Sequence, residues 1–324
     1  MVRGREDLSS ARAAATVGSG ALAELAREHA DVTLEVEGVA RSQWELFRRR
    51  FLRHKLAVAA MGVLVVLYVL AIFAHQIARF PLNPPLTGKV LLEARHGPSL
   101  KHWFGTDELG RDVFTRIIYA GRISLEIGLF VALVSTLVGT AVGAIAGYMG
   151  GLIDNLLMRL TDLVLVVPSL AVLLIAGKYF GGSRNALILV LAALFWMPIA
   201  RVVRGVFLSL KEKEFVEAAR ASGASSFRII VRHLLPNAVG PIAVNTTLVV
   251  GLAIITESTL SFLGFGIQPP NVSWGTMLAQ SEGTVGTHTA YLIYFPGLFI
   301  LLTVLAINFL GDGLRDALDP QSAH

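Results

Sequence analysis

Six long apolar runs, separated by charged or Gly/Pro-rich stretches, organise the chain. Leu56–Ala74 carries no charged side chain and ends at His75. Ile123–Met149 is interrupted only by Glu126 near one end and by a few hydroxyls, and Leu160–Gly177 begins with Asp162 and contains Pro168. Ala186–Val203 contains Pro198, with Arg201 and Arg204 at its end, and Val239–Phe262 and Tyr291–Leu310 complete the set. A bilayer core of about 30 Å is crossed by roughly 20 helical residues at about 1.5 Å each. The pattern predicts an all-α polytopic membrane protein of six transmembrane helices, with kinks at Pro168 and Pro198.

Six crossings place both termini on one side, and basic residues choose the side. With the N-terminus inside, the inner segments hold 19 of the 28 Lys and Arg and the outer segments hold 9. The cluster Arg48, Arg49, Arg50, Arg53 and Lys55 directly precedes the first span. Both ends are therefore predicted cytoplasmic. The first span begins too late, and runs too long, for a cleavable signal peptide. Ahead of it, Trp44, Phe47 and Phe51 fall at i, i+3 and i+7, which predicts an amphipathic helix over 42–54 lying in the headgroups. Residues 1–40, Ala-rich and polar, read as loosely ordered. The predicted organisation is a cytoplasmic extension over 1–54, a first span over 55–77 and an external segment over 78–122. A five-span core over 123–320 follows, with a cytoplasmic loop at 205–238, an external loop at 264–290 and a tail at 321–324.

Composition agrees. Of 324 residues, 54% are hydrophobic and 16% charged, against about 25% charged in soluble domains, and mean hydropathy is +0.64. The net charge of +5 sits beside apolar segments, so it argues for a bilayer surface rather than nucleic acid. No cysteine is present, which removes disulfides, iron–sulfur clusters and Cys-based zinc sites. There is no phosphate-cradling G-x-x-x-x-G-K-[ST] loop, no H-E-x-x-H and no G-x-S-x-G. His96 and His102 lie close together without a third ligand at useful spacing. Catalysis by this chain is not expected, and no cofactor or metal of its own.

The sharpest local signal lies in the cytoplasmic loop. Lys211–Ser222 is rich in strong helix formers and stops at Gly223, a residue suited to a left-handed cap. Ser225 or Ser226 can cap a second helix with Phe227, Ile230, Val231 and Leu234 on one face, which Pro236 would end. The small run Ala218, Ala219, Ala221, Ser222 and Gly223 offers close approach to another protein. Glu217-Ala218-Ala219, then Gly223, Ile230 and Leu235-Pro236 resemble the EAA loop of permease subunits of ABC importers. The resemblance implies that Glu217, Ala218, Ala219, Arg220, Ser222, Gly223 and Ala224 form a coupling helix docked on an ATPase subunit.

Three further stretches resemble the C-type permeases of dipeptide and oligopeptide importers: His102–Leu125, Leu260–Leu278 and Gly311–Pro320. The likeness runs from about residue 42 to 320. It implies a type I importer permease fold in a bacterial cell membrane. The implied partners are a second, B-type permease, two ATPase subunits carrying ATP and Mg, and an extracytoplasmic substrate-binding protein. Relatives that carry nickel, glutathione or other small solutes leave the substrate open. An ion-gradient-driven carrier or channel is the alternative of another class, without the expected inverted repeats. Two departures stand out: the long N-terminal extension, and Glu126 where an apolar residue is expected.

Other polar positions admit two readings each. Thr106, Asp107, Arg111 and Asp112 are caps for a following helix with Val113, Phe114, Ile117 and Ile118 on one side, or a docking surface for the binding protein. Asp162 and Glu257 sit in apolar runs, where a carboxylate costs about 2.5–3.5 kcal/mol and must face protein or water. They line the pathway or bond between helices. Gly139, Gly143 and Gly147 form a small-residue stripe for close helix packing, within the chain or against the partner permease.

Overall fold

The computed structural model describes residues 43–180 and 182–318; the polar segment 1–40 and the tail 321–324 lie outside them. The chain divides into a unit ending at Arg49 and a unit from Arg50 onward, and helix α1 (Gln43–Arg53) runs through the boundary. In the first unit Glu45 and Arg49 pair across one turn at 3.3 Å. In the second, Phe51 is buried, and a Cβ on Gly313 would lie 3.6 Å from its ring.

Helix α2 (Lys55–Ile72) starts on His54, whose Nδ1 accepts from the Ala57 amide. Its buried stripe is Ala57, Ala60, Leu64, Leu67 and Ala71, while Leu56, Val65, Val66, Val69 and Ile72 stay open. A span with one packed face and one wholly aliphatic face belongs in lipid. Short helices α3 (Ala74–Ile77) and α4 (Gly88–Leu92) follow.

The helix predicted from Val113 and the span predicted from Ile123 are one 37-residue helix, α5 (Val113–Met149). Asp112 caps it, accepting from the Thr115 amide at 2.8 Å. Arg116 and Arg122 are good helix formers and do not break it. The third span is a bent pair, α6 (Gly151–Val166) and α7 (Ser169–Phe180), turned by 77°. Pro168 forces the preceding Val167 into an extended conformation, at φ −70° and ψ 127°. Pro198 does not do the same. Helix α8 runs unbroken from Arg184 to Leu210, because packing against α5 on both sides of the proline outweighs one lost ladder bond. Gly139, Gly143 and Gly147 are the other half of that seam: added Cβ atoms would strike Trp196, Ala200 and Phe207. The glycine stripe therefore packs within the chain.

After α8 come α9 (Glu214–Ala221) and α10 (Ser226–Ile229). A π-helical turn, Ile230–Leu234, leads directly into α11 (Leu235–Phe262). The predicted stop at Pro236 is thus corrected. A proline ring clashes with the carbonyl four residues back, and the chain widens instead, Leu235 N donating to Ile230 O. The extra residue rotates the expected face, so Ile229 and Leu234 are buried while Phe227 and Val231 are exposed. Helices α12 (Trp274–Gln280) and α13 (Tyr291–Leu318) complete the bundle. Among the described residues five helices are long and apolar enough to cross a membrane, six spans if the bent pair counts as one.

Candidate functional site: the helix between the fourth and fifth spans

Helix α9 has eight residues and one fully buried side chain, Val216. Val216 sits in the main apolar cluster with Phe207, Ile229, Leu234 and Ala238, and half-buried Tyr148, Leu210, Ala219 and Ala224 pack around it. The helix is thereby joined through Val216 to an apolar cluster that α5, α8 and α11 also contribute to, and it packs against α10. Around that single buried contact the helix is open: Glu217, Ala218, Arg220, Ala221, Ser222 and Gly223 are all exposed. Gly223 has φ +78°, the left-handed cap expected from the sequence, and Ser225 caps α10 by accepting from the Arg228 amide at 3.4 Å. Arg220 lies 5.7 Å from the Tyr148 ring centroid. Where α5 turns into α6, Arg204 of α8 donates to both oxygens of Asp154, at 2.5 and 2.7 Å. Neither residue was singled out by the sequence, since a lone Asp and a lone Arg fifty residues apart carry no spacing signal.

The two carboxylates predicted inside spans part company. Asp162 is exposed and pairs with Arg201 at 2.5 Å, bridging α6 and α8. Glu257 is fully buried. Ser124 of α5 donates to its Oε2 at 3.0 Å and Ser261 to its Oε1 at 2.7 Å. Ser124 Oγ also accepts from the Trp274 amide at 3.3 Å. Glu257 therefore ties α5, α11 and α12 together.

Residues 139–324 match the family described as "Binding-protein-dependent transport system inner membrane component". Residues 42–92 match "N-terminal TM domain of oligopeptide transport permease C". The chain belongs to the binding-protein-dependent transport permeases. The glutathione transport system permease protein GsiD of Shigella flexneri serotype 5b (strain 8401) is 46% identical over 284 residues, covering 87% of this chain and 91% of that protein. Its counterpart in Shigella sonnei (strain Ss046) is 44% identical over the same coverage. This permease is accordingly a multi-pass inner-membrane component of an ABC importer in the peptide/nickel branch, a transporter rather than an enzyme.

At the end opposite α9, the permease spends its polar groups on itself. Thr106, Asp107 and Asp112 are buried. Asp107 Oδ1 accepts from the amides of Leu109 and Arg111, each at 2.9 Å, and its Oδ2 from Arg111 Nε at 2.6 Å. Asp112 Oδ1 lies 2.8 Å from His102 Nδ1, and Phe80 stacks on that imidazole. His102 Nε2 lies 3.2 Å from Glu93. His96 and His102 form no metal cluster among the described residues. Arg116, also buried, donates to Gln280 Oε1 at 2.7 Å. Trp274, missed by the sequence reading, is the largest fully buried side chain and donates to the Ile117 carbonyl at 3.1 Å.

Proposed function

We propose that this permease forms half of the pathway of an ATP-driven importer of short peptides, and that α9 is its coupling element. The observation that carries the reading is the contrast within α9: a root at Val216 in the core shared by three spans, and an open face of Glu217, Ala218, Arg220, Ala221, Ser222 and Gly223. A small-residue face admits another backbone closely. A buried root passes its displacement to the spans, because packed cores move as units rather than deforming. ATP and Mg belong to two partner ATPase subunits. A B-type permease completes the pathway, and a binding protein delivers substrate from outside. Alternating access follows as closure of the ATPases moves α9 and tilts the spans about the Pro168 elbow.

The substrate class rests on the oligopeptide description of the N-terminal match and on the glutathione transport named for the relatives. Glutathione, itself a tripeptide, is the second reading those relatives favour. The test is ATP-dependent uptake by the reconstituted complex, offered glutathione, di- and tripeptides, and nickel. Glu217→Gln combined with Gly223→Trp is expected to reduce uptake to background with membrane insertion intact. Uptake at the wild-type rate from that variant, or a native complex lacking ATPase subunits, overturns the coupling role.

A further inference from the structure

The outer ends of α5 and α8 and the loop after α11 enclose two adjoining cavities of 290 and 340 Å³, which share Ile123, Arg184 and Asn271. Their polar lining includes Arg122, Glu126, Arg184, Asn185 and Asn271. Arg184 Nη1 donates to Glu126 Oε2 at 2.7 Å. Arg122 lies one turn before Glu126 on the same face of α5, is exposed, and has no ion-pair partner among the described residues. Two guanidinium groups thus face one carboxylate, and the lining keeps one uncompensated positive charge. The side-chain amides of Asn185 and Asn271 add neutral donors, and Ser183 makes no side-chain capping bond at the start of α8. A third cavity at this end, of 480 Å³, is lined by Asp107, Glu108, Arg111 and Arg116, two charges of each sign; the Arg122–Glu126–Arg184 lining is the unbalanced one.

We propose that this vestibule receives the terminal carboxylate of the incoming peptide on Arg122 and Arg184, with Glu126 remaining beside Arg184 as a counter-charge. The proposal rests on the peptide-import reading and names the residues that sort substrates by end group. Guanidinium binds carboxylate through two parallel hydrogen bonds, a geometry that an amide end cannot reciprocate. Arg184 has donors to spare beyond the one given to Glu126, so it can take up a second carboxylate without leaving Glu126 bare. Glu126, the polar residue in a run otherwise suited to lipid, halves the attraction. A site on a transport route must bind weakly enough to release, and a vestibule with two free arginines would hold its ligand.

The test compares ATP-dependent uptake of a tripeptide bearing a free C-terminal carboxylate with uptake of its C-terminal amide. It uses the complete complex with its binding protein. Arg122→Gln is expected to lower the acid-over-amide preference at least about tenfold, and Arg122→Lys, which keeps the charge but not the fork, to leave an intermediate preference. The change is expected to be the same in phosphatidylcholine and phosphatidylglycerol vesicles. An unaltered preference, an equal loss for both peptides, or an effect confined to anionic lipid overturns the proposal, the last assigning the cavity to a phosphate headgroup. A wild-type complex that carries neither peptide refutes the peptide reading instead. A second measurement then still decides the vestibule. The chain has no cysteine, so Asn185→Cys supplies its sole thiol. An anionic methanethiosulfonate is expected to react faster there than a cationic one, with the rate ratio falling several-fold on adding Arg122→Gln. Equal rates with and without Arg122 exclude a carboxylate site.

Discussion

The two ends of this permease are written in the same residues and use them oppositely. At the end predicted to face outward, Asp107, Asp112, Thr106 and Tyr291 are turned into the protein; the Tyr291 hydroxyl lies 2.7 Å from the Thr106 carbonyl and 2.9 Å from that of His96. At the end predicted to face the cytoplasm, Glu217, Arg220 and Ser222 are exposed, and Ser222 Oγ donates to the Ala218 carbonyl of its own helix. Both ends have caps, glycines at positive φ and charges beside helix starts. What separates them is whether the polar groups find partners inside the chain. Satisfied groups in a packed hairpin make scaffold. Open groups beside small side chains, on a helix held by one buried valine, leave the surface that the proposed coupling role requires.

The comparison breaks hardest at Trp274. Trp274→Ala removes a fully buried indole and its bond to Ile117, and large aromatic truncations in cores cost about 3–5 kcal/mol. A large drop in the thermal midpoint of the detergent-solubilised complex is expected, with uptake falling only as folded protein is lost. Asp112→Ala is next. It strips the α5 cap and leaves His102 Nδ1 without its partner, for about 1–3 kcal/mol.

Ala218→Leu sharpens the same contrast from the other side. The position is exposed, so stability is expected to stay within about 0.5 kcal/mol while uptake drops several-fold per folded complex. If Ala218→Leu unfolds the protein as readily as Asp112→Ala, the inner face is scaffold too and the distinction between the ends disappears.

The apolar helices and the short helix α9 were legible because their signals are local. Long apolar runs gave the five helices long enough to cross a membrane and the bent pair that counts as a sixth span. Strong helix formers followed by Gly223 gave α9 and its stop. What escaped were properties set by distant partners. Pro168 and Pro198 look alike in sequence, yet only the first breaks its helix, since the second is clamped between turns packed on Gly139 and Gly143. The π turn before Pro236 shifts a face by one residue, and no spacing rule contains it. Glu257 could be read as costly but not as tied to Ser124, which is 133 residues away. Glu126 looked anomalous until Arg184, from another span, supplied its counter-charge.

The smallest expected effect concerns acid. Glu93 of the outer segment accepts from Lys101 and lies beside His102. The Lys101 hydrogen bond, partly opposed by desolvation and reinforced by His102, holds the Glu93 carboxyl below the usual carboxylate range. A carboxyl depressed in the folded state lets the unfolded chain take up its proton first as pH falls. Its contribution is therefore complete above the ordinary glutamate value of about 4.3 and is lost below it, as pH falls through the depressed one. Lys101→Gln removes the leading cause, so the small stabilisation that this exposed, screened pair gives at neutrality is lost and the acid-dependent loosening of the 93–107 segment is expected to flatten, the two forms converging toward pH 3. Amide exchange in that segment, followed from pH 7 to pH 3, reads this directly. An unchanged acid limb would show that the inward-turned groups around Asp112 hold the outer end without help from its surface pairs.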